Sequence, residues 1–431
     1  MVPGEATDSD KAVRTDSAEQ GPPRDQRVPD VVAPPPRHRR FPLFDGLRAI
    51  AMMVVLLVHV ALYSGALSQS TGSHLISRLG VGLTMFFLVS AFLLYRPFIA
   101  HRVGGPGAPA VLDYAKRRIL RIYPAYWVVV TVLVILPGVG AIPGNGLFGT
   151  YALLHTLPID NATGCTEGCA LIQTWSLVVE VTFYAALPLY VVLADRLARG
   201  RSTRTWMRNE LLLLAGLGAA SLIARFVLFG DGSAWIDGSL LGSFYWLALG
   251  MALAVLSVAF EARDRQPWLV EFVTARPLVP WALAIGGYVA LALSMPVVLD
   301  TQSQHFVQML AFGPIAALLL LPAVFGDSAG GLPRQILGNP VVAWLGMISY
   351  SFFLWHLLFA QKVSEVSGGF ADALIGTILA TTAVAAISYY LVERPLMRFK
   401  YRRVRDVLRS RRPRARDSTL PAPEISESGR L

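Results

Sequence analysis

Charge is scarce in this sequence. Of its 431 residues only 15% are Asp, Glu, Lys or Arg, while 54% are hydrophobic; an average soluble domain carries about 25% charged residues. A water-soluble fold of this size would have to expose more apolar surface than it could keep in solution. A soluble enzyme and a disordered chain are therefore both excluded. Cysteine is nearly absent too, and two residues cannot staple a disulfide scaffold. There is no G-x-S-x-G elbow, no Walker loop and no Rossmann glycine run, so an elbow-type acyl-serine is not indicated. The cysteine pair Cys165 and Cys169 makes a poor metal site, with no histidine pair near it, and no metal is expected.

What the sequence does have is long apolar runs. Ten stretches approach the roughly 20 residues needed to cross a hydrocarbon core about 30 Å thick: 46–66, 80–100, 119–139, 175–195, 209–229, 237–258, 279–299, 307–325, 341–361 and 372–392. Their length and uniform apolarity fit helices and not barrel strands. The expected fold is an all-α integral membrane protein. Tyr151 to Pro158 is apolar but too short to span, and reads as a re-entrant or interfacial turn. Residues 1–40 are rich in proline and charge, which marks a disordered tail without the apolar core of a signal peptide. Residues 399–431 form a basic tail, leaving 41–398 as the transmembrane domain.

The formal net charge of +10 would ordinarily raise nucleic acid as a partner. Here the basic residues sit in short runs between apolar segments. With the N-terminus inside, 34 of the 38 Lys and Arg fall on the inner side, and only Arg78 and Lys362 on the outer. That asymmetry orients helices in a bilayer, with both termini cytoplasmic; no nucleic acid is expected. The longest outer segment, 140–174, holds both cysteines, where a disulfide is permitted and free thiols are equally open.

Ionisable groups inside spans are costly, so each is a candidate functional residue. They are Arg48, His59, Glu180, Arg225 and His356, with Arg118, Arg121 and Glu393 at inner helix ends. Arg48 and His59 are eleven residues apart, so they share a helix face about 16 Å apart along the axis. Asp45, one turn before Arg48, is placed to pair with it. Arg118 and Arg121 share a face at the inner mouth, where two guanidinium forks suit phosphate groups. His59, Glu180, Arg225 and His356 come from different spans yet fall at similar depth. A carboxylate beside a histidine fixes its tautomer, and such a histidine can deprotonate a hydroxyl acceptor.

These residues lie in motifs. Phe44-Asp45-Gly46-Leu47-Arg48 through His59 resembles the Arg-x10-His signature of the membrane-bound acyltransferase-3 family. Phe86-Phe87-Leu88-Val89-Ser90-Ala91 looks like its second-span motif, with Ala91 where glycine is usual. Thr84 or Met85 stands where an acidic residue is often found. Arg118-x-x-Arg121-Ile122-Tyr123-Pro124, Trp175-Ser176-Leu177-Val178-Val179-Glu180 through Tyr184, Ser349-Tyr350 through His356, and Glu393-Arg394-Pro395 are similar to its remaining landmarks. The match covers about residues 41–398.

The resemblance implies transfer of an acyl group, usually acetyl, from cytoplasmic acetyl-CoA or another acyl-CoA. The acceptor would be a hydroxyl on an envelope carbohydrate or glycosylated metabolite, and the enzyme would sit in the cell (inner) membrane. It implies functional roles for Arg48, His59, Arg118, Arg121 and Glu180. The arginines are expected to hold the CoA phosphates, and His59, oriented by Glu180, to act as general base or to take the acyl group itself. Asp45, Trp175, Ser176, Arg225 and His356 are expected to bind substrate or support the site. An esterase-like C-terminal domain, which some relatives carry, is not expected. The competing class is a proton-coupled carrier, against which stand the lack of an internal repeat and of matching broken helices in the two halves.

Overall fold

The computed structural model describes residues 41–69, 72–104, 110–135, 146–154, 171–228, 238–261, 266–325 and 330–398. Both tails and the pair Cys165 and Cys169 lie outside the described residues. Within them there are helices and turns but no strand. Eight helices among the described residues are each long and apolar enough to cross a membrane, and the count of candidate spans reaches ten if each of two bent helix pairs is one span. The principal helices are α1 Phe44–Tyr63, α2 Val81–Arg102, α3 Val111–Ile135, α4 Trp175–Ala198, α5 Thr203–Leu228, α6 Leu240–Glu261, α7 Leu278–Ser294, α8 Gln302–Val324, α9 Ser349–Val366 and α10 Phe370–Ser388. Large apolar side chains on their outer faces, such as Leu189, Ile223 and Leu391, stay exposed, as lipid contact requires and water would not reward.

Each expected run is present, but two are broken. The run at 279–299 becomes α7, preceded by a short helix, Trp268–Ala275, lying at 87° to it. Pro277 stands at the junction, and with no N–H to donate it cannot continue the preceding helix. The run at 341–361 is split into Pro340–Met347 and α9, bent by 74°. The first piece has its own start: the Asn339 side chain accepts from the Val341 and Val342 amides, a standard N-cap. Its direction is set by packing on α1, because a Cβ at Gly346 would lie 1.8 Å from the Asp45 carbonyl oxygen. Only glycine permits that approach. Both breaks fall in the second half of the chain, so they are not the mirrored pair of an inverted-repeat carrier. Helix α3 begins at Val111, well before the apolar run, because charged residues mark where a helix leaves lipid and not where it starts.

Helix α1 runs antiparallel to α2 and parallel to α9. The Phe44 and Phe92 rings are 5.1 Å apart, and α1 meets α9 again at the His59 and His356 rings, 5.0 Å apart. Helix α2 packs most closely on α6. A Cβ on Gly250 would come within 2.9 Å of the Ala91 methyl and 2.4 Å of the Leu88 carbonyl oxygen. The alanine that replaces the usual glycine in the second span is thus accommodated by a glycine on the partner helix. Several arginines that the sequence presents as topological charge are buried fasteners. Arg334 donates to four backbone carbonyls, those of Pro322, Thr274, Val273 and Phe325. Arg96 pairs with Glu261.

Candidate active site

Helices α3 and α4 stand slightly apart from α1, α2 and α9, and the space between them is a cavity of about 190 Å³. On α2 the lining runs from Leu83 to Leu94, roughly 16 Å at the helical rise. The cavity is therefore long and narrow. Phe86, Phe87 and Phe353 line its apolar wall, and Arg48, Arg118, Arg121, Glu180 and Tyr184 its polar one.

All three predicted arginines and Glu180 meet here. Arg48 lies 3.6 Å from Asp45, one turn earlier on α1, as expected. Arg121 is held more firmly, by Glu393 at 3.1 Å. Glu393 is buried in a π-helical turn, Tyr389–Glu393, that follows α10, and it also accepts from the Ser351 hydroxyl. Single π turns recur at functional sites because they re-aim side chains. Arg118 stacks on Tyr114 and Tyr184, 5.8 and 5.6 Å from the ring centroids. Its Nε is buried without a hydrogen-bond partner among the described residues, and so is the hydroxyl of Ser349, at the break before α9. A buried polar atom left unpaired is uncommon. Arg118, Arg121 and Glu180 thus line one cavity.

Glu180 does not touch His59. Its Oε1 accepts from the Ser90 hydroxyl at 2.6 Å, with the Tyr184 hydroxyl 3.5 Å from the same serine. His59 instead pairs with His356: its Nδ1 lies 3.2 Å from His356 Nε2 and 2.9 Å from the Val55 carbonyl oxygen. His356 Nδ1 lies 2.6 Å from the Phe353 carbonyl oxygen. A carbonyl only accepts, so both Nδ1 atoms must carry protons. His356 Nε2 is then a lone-pair acceptor for His59 Nδ1–H, and His59 Nε2 keeps the free lone pair. The histidine pair assigns its own tautomers, which a general base requires.

The remaining predicted residues divide. Ser176 lines the cavity, and Trp175 packs edge-on against Phe87, which lines it, with centroids 6.3 Å apart. Arg225 sits near the end of α5, a helix packed on α6, and is not in the lining. Ser90, Tyr184, Ser349 and Tyr350 also line the cavity. All four stand within the motif stretches of the sequence, but none is given a role there, and nothing marks Ser90 as the partner of a carboxylate. Among the described residues no three His, Cys, Asp or Glu side chains gather as a metal group.

A profile of the acyltransferase domain family matches residues 42–393. The exopolysaccharide production protein ExoZ of Rhizobium meliloti is 27% identical over 350 residues, covering 77% of this chain and 93% of that protein. The acyltransferase MdmB of Streptomyces mycarofaciens is 26% identical over 433 residues, covering 92% of this chain and 99% of that one. The peptidoglycan O-acetyltransferase OatA of Listeria monocytogenes is 23% identical over 380 residues, covering 82% of this chain and 55% of its own length. This chain thus spans about half of that relative. No solved structure matches.

Proposed function

Because the chain belongs to the acyltransferase-3 family and is a multi-pass membrane O-acyltransferase, we propose that it moves an acyl group, ordinarily acetyl, from cytoplasmic acyl-CoA to a hydroxyl of a cell-envelope carbohydrate or glycosylated metabolite. It does so in the inner membrane, with both termini cytoplasmic. The relatives named for exopolysaccharide production and for peptidoglycan O-acetylation support a carbohydrate acceptor.

The observation that carries this reading is a narrow cavity with three arginines in its polar wall and, beyond its lining, a histidine pair further along α1. Guanidinium forks recognise phosphate oxygens bidentately. Arg48, Arg118 and Arg121 hold the phosphates of the donor, and the cavity takes its linear arm. His59 stands roughly 16 Å further along α1 than Arg48, which separates a charged head group from its thioester. His59 Nε2 removes the proton of the acceptor hydroxyl as the oxygen attacks the acyl carbonyl; the C–S bond then breaks, and the CoA sulfur leaves with the proton that the His59 imidazolium returns. His59 Nδ1–H meanwhile donates to His356, which steadies the imidazolium as it forms.

Membranes carrying the protein are incubated with labelled acetyl-CoA, and label is expected on envelope carbohydrate. Correctly inserted His59→Ala protein is expected to lose about 10²–10⁴ of the rate. Transfer at the normal rate by that variant would sink the mechanism, and net solute movement without label transfer would favour a carrier.

A further inference from the structure

On the acyltransferase reading the linear arm of a thioester donor lies in the cavity, and the acceptor hydroxyl has to arrive beside the thioester, at the His59 end. On α9, Tyr350 and Phe353 line the cavity. Leu357, Gln361 and Ser364 follow at steps of four, four and three residues, so they continue the same helical face. Gln361 lies roughly 12 Å beyond Phe353 and past His356, on the side away from the arginines. Across from this face, Gln173 precedes Ser176, which lines the cavity, by one turn.

These positions share a feature. Gln361 Oε1, Ser364 Oγ and Gln173 Oε1 are buried atoms with no hydrogen-bond partner among the described residues. Gln173 is only 4% exposed. Its Nε2 donates to the Leu354 carbonyl oxygen at 3.3 Å, so the unpaired end of that amide is the accepting one. That same bond fastens Gln173 to α9 two residues before His356. Unpaired buried acceptors cost stability unless a ligand brings donors. A phosphate or carboxylate brings acceptors; a polyol brings hydroxyl donors and no charge. The two ends of the path differ: three guanidinium groups stand at one, and uncharged amide and hydroxyl groups beyond the histidines at the other.

We propose that Gln173, Gln361 and Ser364 form the acceptor subsite, which receives the hydroxyl groups of a carbohydrate next to the His59–His356 pair. This rests on the acyltransferase reading above. It places acceptor recognition on α9 and the turn before α4.

The test uses full-length protein in membranes, labelled acetyl-CoA, and a carbohydrate fraction from the cell envelope as acceptor, with methyl glycosides as competitors. Gln361→Met removes an accepting oxygen at nearly constant shape, and Gln173→Met removes one together with the Nε2 bond to the Leu354 carbonyl. Each is expected to raise the acceptor KM about tenfold, the value of one hydrogen bond, and to leave the acyl-CoA KM unchanged. Gln361→Glu, which keeps an accepting oxygen, is expected to retain most acceptor affinity, an outcome a merely structural role would not produce. An unchanged acceptor KM in both Met variants overturns the subsite, as does a rise confined to the acyl-CoA KM. If wild-type membranes transfer no label, the acyltransferase reading falls first and takes the subsite with it.

Discussion

Two clusters of buried charge share α2, one around Glu210 and one around Glu180, and they differ in whether their hydrogen-bonding capacity is filled. At the first, Tyr95 and Tyr190 both donate to Glu210 Oε1, and Arg102 donates to Oε2 at 2.8 Å. The same guanidinium reaches Asp195 and lies over the Trp206 ring. At the second, the Arg118 Nε and the Ser349 hydroxyl have no partner, and Arg48 reaches Asp45 only at 3.6 Å. A filled network fastens helices; the second cluster instead lines a cavity, with groups that pair with no other described residue. Buried charge alone does not mark a functional site, and the cavity is what separates the two.

The contrast is tested most severely by Glu210→Ala. It leaves the Arg102 guanidinium short of its buried partner, and breaking such a pair costs about 3–5 kcal/mol. Thermal unfolding in detergent should show that loss, with any correctly folded fraction keeping normal transfer per molecule. Normal stability would mean that the fastener is not one.

How far the sequence foretold this difference depends on the residue. Hydropathy located all ten spans, because the requirement for about 20 apolar residues is a length condition that any single chain displays. It could not show that Pro340–Met347 turns away from α9, since that bend follows from the contact of Gly346 with the α1 backbone. Spacing placed Asp45 beside Arg48 because both lie on one helix. It assigned Glu180 to His59 because depth along separate helices was the only common coordinate. Rotation about each helix axis and the identity of neighbours are tertiary quantities. They give His59 to His356 and Glu180 to Ser90. For the same reason Arg102 and Arg334 counted as inner charge, although both are largely buried by partners more than a helix away.

On the unfilled side, His356→Leu removes the acceptor that holds the His59 tautomer. Loss of an orienting partner of this kind costs about 10–100-fold in activity. The fall should appear in kcat and not in the acyl-CoA KM, and His356→Gln, which restores an accepting oxygen, should recover part of it. Equal rates for wild type and His356→Leu would show that the pair is packing alone. Arg118→Lys is milder, because charge survives while the fork and its stacking on Tyr114 and Tyr184 are lost. The acyl-CoA KM should rise about tenfold with a smaller stability loss than at Arg102, since Nε forfeits no hydrogen bond to a described residue. Arg102→Lys makes the control: there the fork is fully engaged, and stability is what should drop.

The smallest effect separates the clusters most sharply. Ser349 is fully buried at the cavity wall with its hydroxyl unpaired. In an ordinary packed site, losing a serine hydroxyl costs stability because a partner is left bare. Here no partner exists to be bared, so Ser349→Ala removes a desolvated group that nothing in the protein repays. Stability should hold or rise by up to ~1 kcal/mol. Transfer should nonetheless fall, because the group that hydroxyl awaits is in the substrate. Rate and stability moving in opposite directions at one atom is the signature of a site kept unfilled for a ligand. A loss of ~1 kcal/mol or more would mean that Ser349 is already satisfied within the protein, and the distinction between the two clusters would fail at its finest point.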